Sequence, residues 1–223
     1  MITENHIKDE TCIFNYKLYY PEQNKKLPLL IYLHGAGERG DNIDHLDVHA
    51  IPRLIKNGKE YNAVVLCPQC PAEFVWNNVV SQLKKLIDET ASRFGILRDR
   101  ICITGSSMGG FGTFEMGLTY RNFFSCIAPV AGGGMEWRCQ NLKTTPVKAY
   151  HGDIDNDVTI DHSIKMVEMI NANGGNAELI TLKNMGHSDG IEYAYEHTDL
   201  VEWALAQRRT DFSYVPECLE ELF

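Results

Sequence analysis

The segment ICITGSSMGGFG at 101–112 places Ser107 between Gly105 and Gly109, after an apolar run and ahead of a helical one. A serine becomes a nucleophile when a base takes its proton, and a sharp strand-to-helix turn presents the hydroxyl at the top of a sheet to meet that base. Such a turn strains the nucleophile's backbone and leaves no room for side chains two residues to either side, which two glycines supply. The helix start behind it aims backbone N–H groups at the reacting centre, so charge developing on a substrate oxygen is stabilised there, with Met108 N–H as one donor. A bare Gly-x-Ser-x-Gly also arises as an ordinary turn, and it is the strand and helix flanks that favour chemistry. Ser106 holds the variable position of the motif and is not the expected nucleophile.

A serine nucleophile needs a base and a group that orients the base. In LKNMGHSDG at 182–190, His187 follows an apolar run and precedes the last helical pattern, which suits a base on a loop. In VKAYHGDIDNDV at 147–158, Asp155 stands where a carboxylate beyond a strand end can accept the histidine N–H and fix its tautomer. Asp153 and Asp157 remain rivals, although Asp157 suits a cap for the helix ahead of it. The order Ser107, Asp155, His187, each after a successive strand, is the order this chemistry takes on a parallel sheet. LIYLHGAGERG at 30–40 ends another buried strand in a small-residue loop, where Ala36 N–H is the candidate second oxyanion donor and Gly35 approaches the substrate. His34 opens that loop and is expected to brace its backbone.

The elements that must position these residues are legible as apolar runs. LPLLIYLHG, AVVLCP, RICITGSS, SCIAPVAGG, PVKAYHGD and AELITLKN lack alternation, as strands buried on both faces do. Phe14, Tyr16, Leu18 and Tyr20 alternate with polar residues and predict an antiparallel edge. Between the runs, Val79, Val80, Leu83, Leu86, Ile87, Thr90, Ala91 and Phe94 recur at helical spacing. Further helices are predicted from about 159 to 171, with Ile160, Ile164, Val167 and Ile170 inward, and from about 191 to 207. Strand and helix in alternation mean an α/β chain: a mainly parallel sheet, helices on both faces, and ligands at the carboxyl ends of the strands.

Composition narrows the partners. The chain has 223 residues, 44% of them hydrophobic, and a formal net charge of −9. One domain spanning 1–223 is expected, and a concentrated positive surface for nucleic acid or anionic membrane is not. The opening MITENHIKDET offers no signal peptide and no run is long enough to span a membrane, so a cytoplasmic location is expected. Seven cysteines, an odd number set partly in apolar runs, read as reduced thiols. The Cys67–Cys70 pair has no second pair to complete a zinc site, so neither a metal nor a cofactor is expected. A homodimer stays open, and the tail 210–223 has no legible role.

On LHGAGERGD, CPQCP with Trp76, TGSSMGGFGTF, HGDIDNDV and NMGHSD, spread over about residues 25–208, the chain resembles the α/β-hydrolase superfamily. Within it, the chain is similar to the small phospholipase/carboxylesterase and dienelactone-hydrolase-like group, which includes prolyl-oligopeptidase-family peptidases. The resemblance implies Ser107, Asp155 and His187 as the catalytic triad and Ala36 and Met108 as the oxyanion hole. Dienelactone hydrolases use cysteine where Ser107 stands, so a serine esterase working through an acyl-enzyme is the expectation. A serine peptidase and a silent hydrolase-fold binding protein are the alternatives. Only about fourteen residues separate the strand ending near Ala131 from the one beginning near Pro146, too few for a lid domain. Without a lid, small-molecule esters with short acyl or aryl groups, or esters on a carbohydrate, fit better than triglycerides. Trp76, Phe111, Met135 and Trp137 are candidates for the pocket wall, each equally compatible with ordinary core or loop packing, and Trp76 is the expected substrate contact.

Overall fold

The computed structural model describes residues 1–22 and 26–211. Most of the tail 210–223, and with it Cys218, lies outside the described residues.

Eight strands form one sheet: β1 (Ile2–His6), β2 (Asn15–Tyr20), β3 (Leu29–Leu33), β4 (Val64–Gln69), β5 (Ile101–Ser106), β6 (Cys126–Val130), β7 (Val147–Gly152) and β8 (Ala177–Leu182). Their spatial order is β1-β2-β4-β3-β5-β6-β7-β8. The pairs β1–β2 and β2–β4 are antiparallel, and all the others are parallel. This is the α/β-hydrolase fold.

The continuous apolar runs are explained by two cores, one on each face. Along β3, Leu29, Ile31 and Leu33 enter one core while Leu30 and Tyr32 enter the other. The first core is closed by α2 (Val80–Phe94), α3 (Met108–Thr119) and α4 (Asp161–Ala172), through side chains such as Leu83, Phe114 and Met166. The second is closed by α1 (Ala50–Lys56), α5 (His187–His197) and α6 (Leu200–Ala206), through Ile51, Ala194 and Val201. Each large aliphatic or aromatic side chain taken out of water this way contributes about 1.5–3 kcal/mol.

Several sequence expectations change. The edge strand is not β2 but β1, which pairs with β2 from Ile2 opposite Tyr20 to His6 opposite Tyr16. Its sequence ITENH is short and largely exposed, so it carries no burial signal. The last helix is two: Thr198 is extended and its Oγ1 accepts the Leu200 N–H at 3.2 Å, which ends one helix and starts the next. On α4 the fully buried face is Ser163, Met166 and Ile170, with Ile164 and Val167 only partly buried. The seven-residue α1 is too short for a helical period to show. Between β6 and β7 the chain makes a 3-10 turn at Glu136–Leu142 whose Cys139 and Leu142 are buried. Among the described residues no helix is long and apolar enough to cross a membrane.

Candidate active site

Ser107 joins β5 to α3 with φ 55° and ψ −118°, a conformation that L-residues avoid. Its N–H donates to the Val130 carbonyl at 3.0 Å, which pins the turn to the next strand. The turn also presses against the end of β3. A first side-chain carbon at Gly105 would lie 2.7 Å from the Leu33 carbonyl oxygen, and one at Gly109 would overlap that oxygen outright. The glycines flanking Ser107 are therefore required by contact with β3. Ser106, one residue back, is buried with its hydroxyl 3.1 Å from that of Tyr32.

His187 is the first residue of α5. Its Nε2 lies 2.9 Å from Ser107 Oγ and its Nδ1 lies 2.7 Å from Asp155 Oδ2. A carboxylate can only accept, so Nδ1 carries the proton and Nε2 is free to take one from the serine. The other Asp155 oxygen accepts the N–H groups of Asp157 at 3.0 Å and Val158 at 2.9 Å, which fixes the carboxylate's orientation. Asp153 does different work. Its Oδ1 accepts the Asn184 N–H at 2.6 Å, and the Ile154 N–H donates to the Met185 carbonyl at 3.2 Å, so the loop carrying His187 is stitched to the end of β7. Of the three acids in this loop, Asp155 is the one whose carboxylate meets His187.

The loop after β3 forms a 3-10 turn at Ala36–Glu38. His34 holds it from behind. Its Nδ1 donates to the Gly35 carbonyl at 2.5 Å and its Nε2 accepts the Cys70 N–H at 2.9 Å. Burial pushes the imidazole down to about 4, so it stays neutral and able to accept. Trp76 completes this brace: its indole N–H donates to the His34 carbonyl at 3.0 Å and its ring packs at 5.0 Å from the imidazole.

A cavity of about 250 Å³ opens over Ser107 and His187, with Gly35, Ala36 and Gly37 on one side and Ser188, Ile191 and Glu192 on the other. Trp76 does not line it. The ring is 1% exposed because it fills the space under Gly112 and against His34, so its expected contact with substrate is corrected to a structural one. Phe111 sits edge-on to His162, and Met135 and Trp137 face solvent, with Trp137 76% exposed. Met108 is the first residue of α3, directly after Ser107.

The cavity wall also holds residues outside the sequence expectations, Glu38, His49 and Glu192. Glu38 is buried, and burial pushes its carboxyl above the usual range. His49 precedes α1 and meets Glu192 of α5 at 2.7 Å, while Arg53 holds the same carboxylate at 2.5 Å. A charged residue in the small-residue run HGAGERG was the one available sign of Glu38; the His49–Glu192 pair depends on how α1 packs on α5, which no local pattern encodes. Cys67 and Cys70 enter opposite cores, and burial raises both thiols, Cys70 to about 12. Among the described residues no three His, Cys, Asp or Glu side chains gather as a metal site would require.

The sequence model of the Phospholipase/Carboxylesterase family matches residues 71–200. No curated protein sequence matches the chain. Among solved structures, a thermostable esterase is 24% identical with a TM-score of 0.78, covering 93% of this chain, which in turn spans only 63% of that protein. The feruloyl esterase module from Clostridium thermocellum, an S954A mutant in complex with sinapinate, is 15% identical with a TM-score of 0.73 over 96% of this chain and 91% of its own. Esterase PE8 is 16% identical with a TM-score of 0.66 over 91% of this chain and all of its own length. At these identities the structures share a fold with this chain.

Proposed function

The chain belongs to the phospholipase/carboxylesterase family, and we propose that it is a serine esterase that hydrolyses small-molecule carboxylic esters through an acyl-enzyme. Ser107 Oγ attacks the ester carbonyl while His187 Nε2 takes its proton, and Asp155 holds the imidazolium that results. The oxyanion is received by the N–H groups of Ala36 and Met108, a contribution of about a hundred- to a thousand-fold per donor in related chemistry. His187 then protonates the leaving alcohol, and a water activated by the same nitrogen releases the acid.

The observation that carries this reading is His187 hydrogen-bonded on both sides, 2.9 Å to the serine and 2.7 Å to the carboxylate. The cavity above it is modest and partly polar, and the segment between β6 and β7 is packed down, which favours short acyl or aryl esters, including esters carried on a carbohydrate. A fluorophosphonate probe reacts only with an activated serine. It should label Ser107 and should not label the Ser107→Ala protein, and the wild type should hydrolyse p-nitrophenyl acetate and butyrate. Absence of labelling together with absence of ester turnover would refute the reading. Faster cleavage of peptide anilides than of esters would move it to a peptidase.

A further inference from the structure

We propose that His151 is a positioning residue that acts through Asp155 to set the basicity of His187. The proposal rests on the reading of His187 as the general base. His151 is the fifth residue of β7 and is fully buried. Its Nε2 lies 2.8 Å from the Val158 carbonyl and 3.4 Å from Asp155 Oδ2. Its Nδ1 lies 2.7 Å from Ser163 Oγ, which is also 2.9 Å from the Gly132 carbonyl.

The proton inventory of this cluster leaves little freedom. A carbonyl and a carboxylate only accept, so Nε2 must carry a proton. Burial opposes a charge on the ring, and the Nδ1–H tautomer would set a bare Nε2 lone pair 2.8 Å from the Val158 carbonyl oxygen, so in the neutral ring Nδ1 is the acceptor, and it shares the one Ser163 hydroxyl proton with the Gly132 carbonyl. Ser163, on the buried face of α4, bridges His151 Nδ1 and the Gly132 carbonyl. One carboxylate oxygen, Asp155 Oδ2, accepts the Nδ1–H of His187 and faces the Nε2–H of His151, while Oδ1 takes two backbone amides.

The Nε2–H dipole of His151, donated to the Val158 carbonyl and 3.4 Å from Oδ2, draws on the negative charge that would otherwise stabilise the His187 imidazolium. His151 therefore opposes protonation of His187 through the carboxylate they share. The titratable groups that face His151 are Asp155 and His187. Those that face His187 are Asp155 and, across the cavity, Glu38, His49 and Glu192. Substitution at 151 leaves all of them in place.

The test is the pH dependence of kcat/KM for p-nitrophenyl butyrate in the wild type, His151→Gln and His151→Leu. The acid limb should move upward by about half a pH unit or more in His151→Leu, whereas Gln keeps an N–H near the Nε2 position and should restore the wild-type limb. A folded His151→Leu protein with lower Tm and an unmoved acid limb would overturn the proposal, since a packing role predicts that result. If the Leu variant does not fold, imidazole 15N spectra of the wild type decide: His151 should show the Nε2–H tautomer with an acceptor Nδ1, and an Nδ1–H tautomer would overturn it. A wild-type enzyme without any ester turnover would strike the general-base reading instead, and the tautomer is readable in either case.

Discussion

Ser107 Oγ and His187 Nε2 stand 2.9 Å apart although eighty residues separate them in the chain. The serine reaches that position on a strained backbone that Gly105 and Gly109 allow and Val130 pins. Ser107→Ala should lower kcat on the order of a million-fold with little change in Tm, because among the described residues the hydroxyl is hydrogen-bonded to the histidine alone. Ser106→Ala should retain activity and lose about 1 kcal/mol, the hydrogen bond to Tyr32. Steady-state kinetics on p-nitrophenyl butyrate and thermal melts distinguish them, and activity surviving in Ser107→Ala would refute the assignment.

The three acids of the loop after β7 should separate in the same assay. Asp155→Asn leaves His187 Nδ1 without its acceptor and should cost on the order of ten-thousand-fold in kcat. Asp157→Asn should cost little, since it is the backbone N–H of this residue that serves Asp155. Asp153→Asn removes the charge from the acceptor of the Asn184 N–H and should loosen the loop that carries His187, raising KM or lowering Tm without abolishing turnover. Loss at Asp157 equal to that at Asp155 would transfer the orienting role.

The residues that meet at the site were legible because each sits in a local pattern whose flanks favour one role, although Asp153 and Asp157 could not be set aside for Asp155 by pattern alone. Ser107 lies in a glycine turn after a buried strand, Asp155 beyond a strand end, and His187 ahead of a helix. What the sequence concealed depends on packing between distant segments. Trp76 reads as a pocket residue until its indole is seen donating to His34, and no local pattern sets Ser163 of α4 beside His151 of β7. The edge strand β1 buries too little to leave a signal, and the short 3-10 turn at Ala36–Glu38 gives no warning that Glu38 points into the cavity.

His34 should impose a pH dependence on stability. Its imidazole is held at about 4 in the fold against 6.5 for the ordinary side chain, so the neutral form is the one the fold requires. A group depressed in this way contributes fully above pH 6.5, and its contribution falls as pH drops from 6.5 to 4, by on the order of 3 kcal/mol. Glu38 acts in the opposite direction, because its raised carboxyl takes up a proton more readily folded than unfolded. His34→Gln should therefore lower stability at pH 8 by about 1–3 kcal/mol yet lose less than the wild type between pH 6.5 and 4. Urea midpoints across that window supply the check. Parallel curves for the two proteins would show that His34 is not buried neutral.

Acyl-chain length offers the sharpest test of how open the site is. The cavity over Ser107 holds about 250 Å³, and among the described residues that line it Ile191 is the one large aliphatic side chain, set beside Glu38, His49 and Glu192. Each methylene left in water forgoes about 0.8 kcal/mol, so kcat/KM should rise over the first few carbons and then level off. The segment that a lid would occupy is held down. Cys139 and Leu142 are buried, and Arg138 reaches Glu115 at 2.7 Å and Thr119 at 2.8 Å. With that segment fixed, no cover should open on an apolar surface, and the rate should show no jump where monomeric substrate gives way to aggregates. The measurement is kcat/KM for p-nitrophenyl esters from acetate to palmitate, on both sides of the aggregation threshold. A maximum at long chains would mean that the cavity continues into an apolar tunnel beyond Ile191. A sharp rise at the threshold would mean that the turn at Glu136–Leu142 lifts away despite its salt bridge to Glu115 and the burial of Cys139 and Leu142.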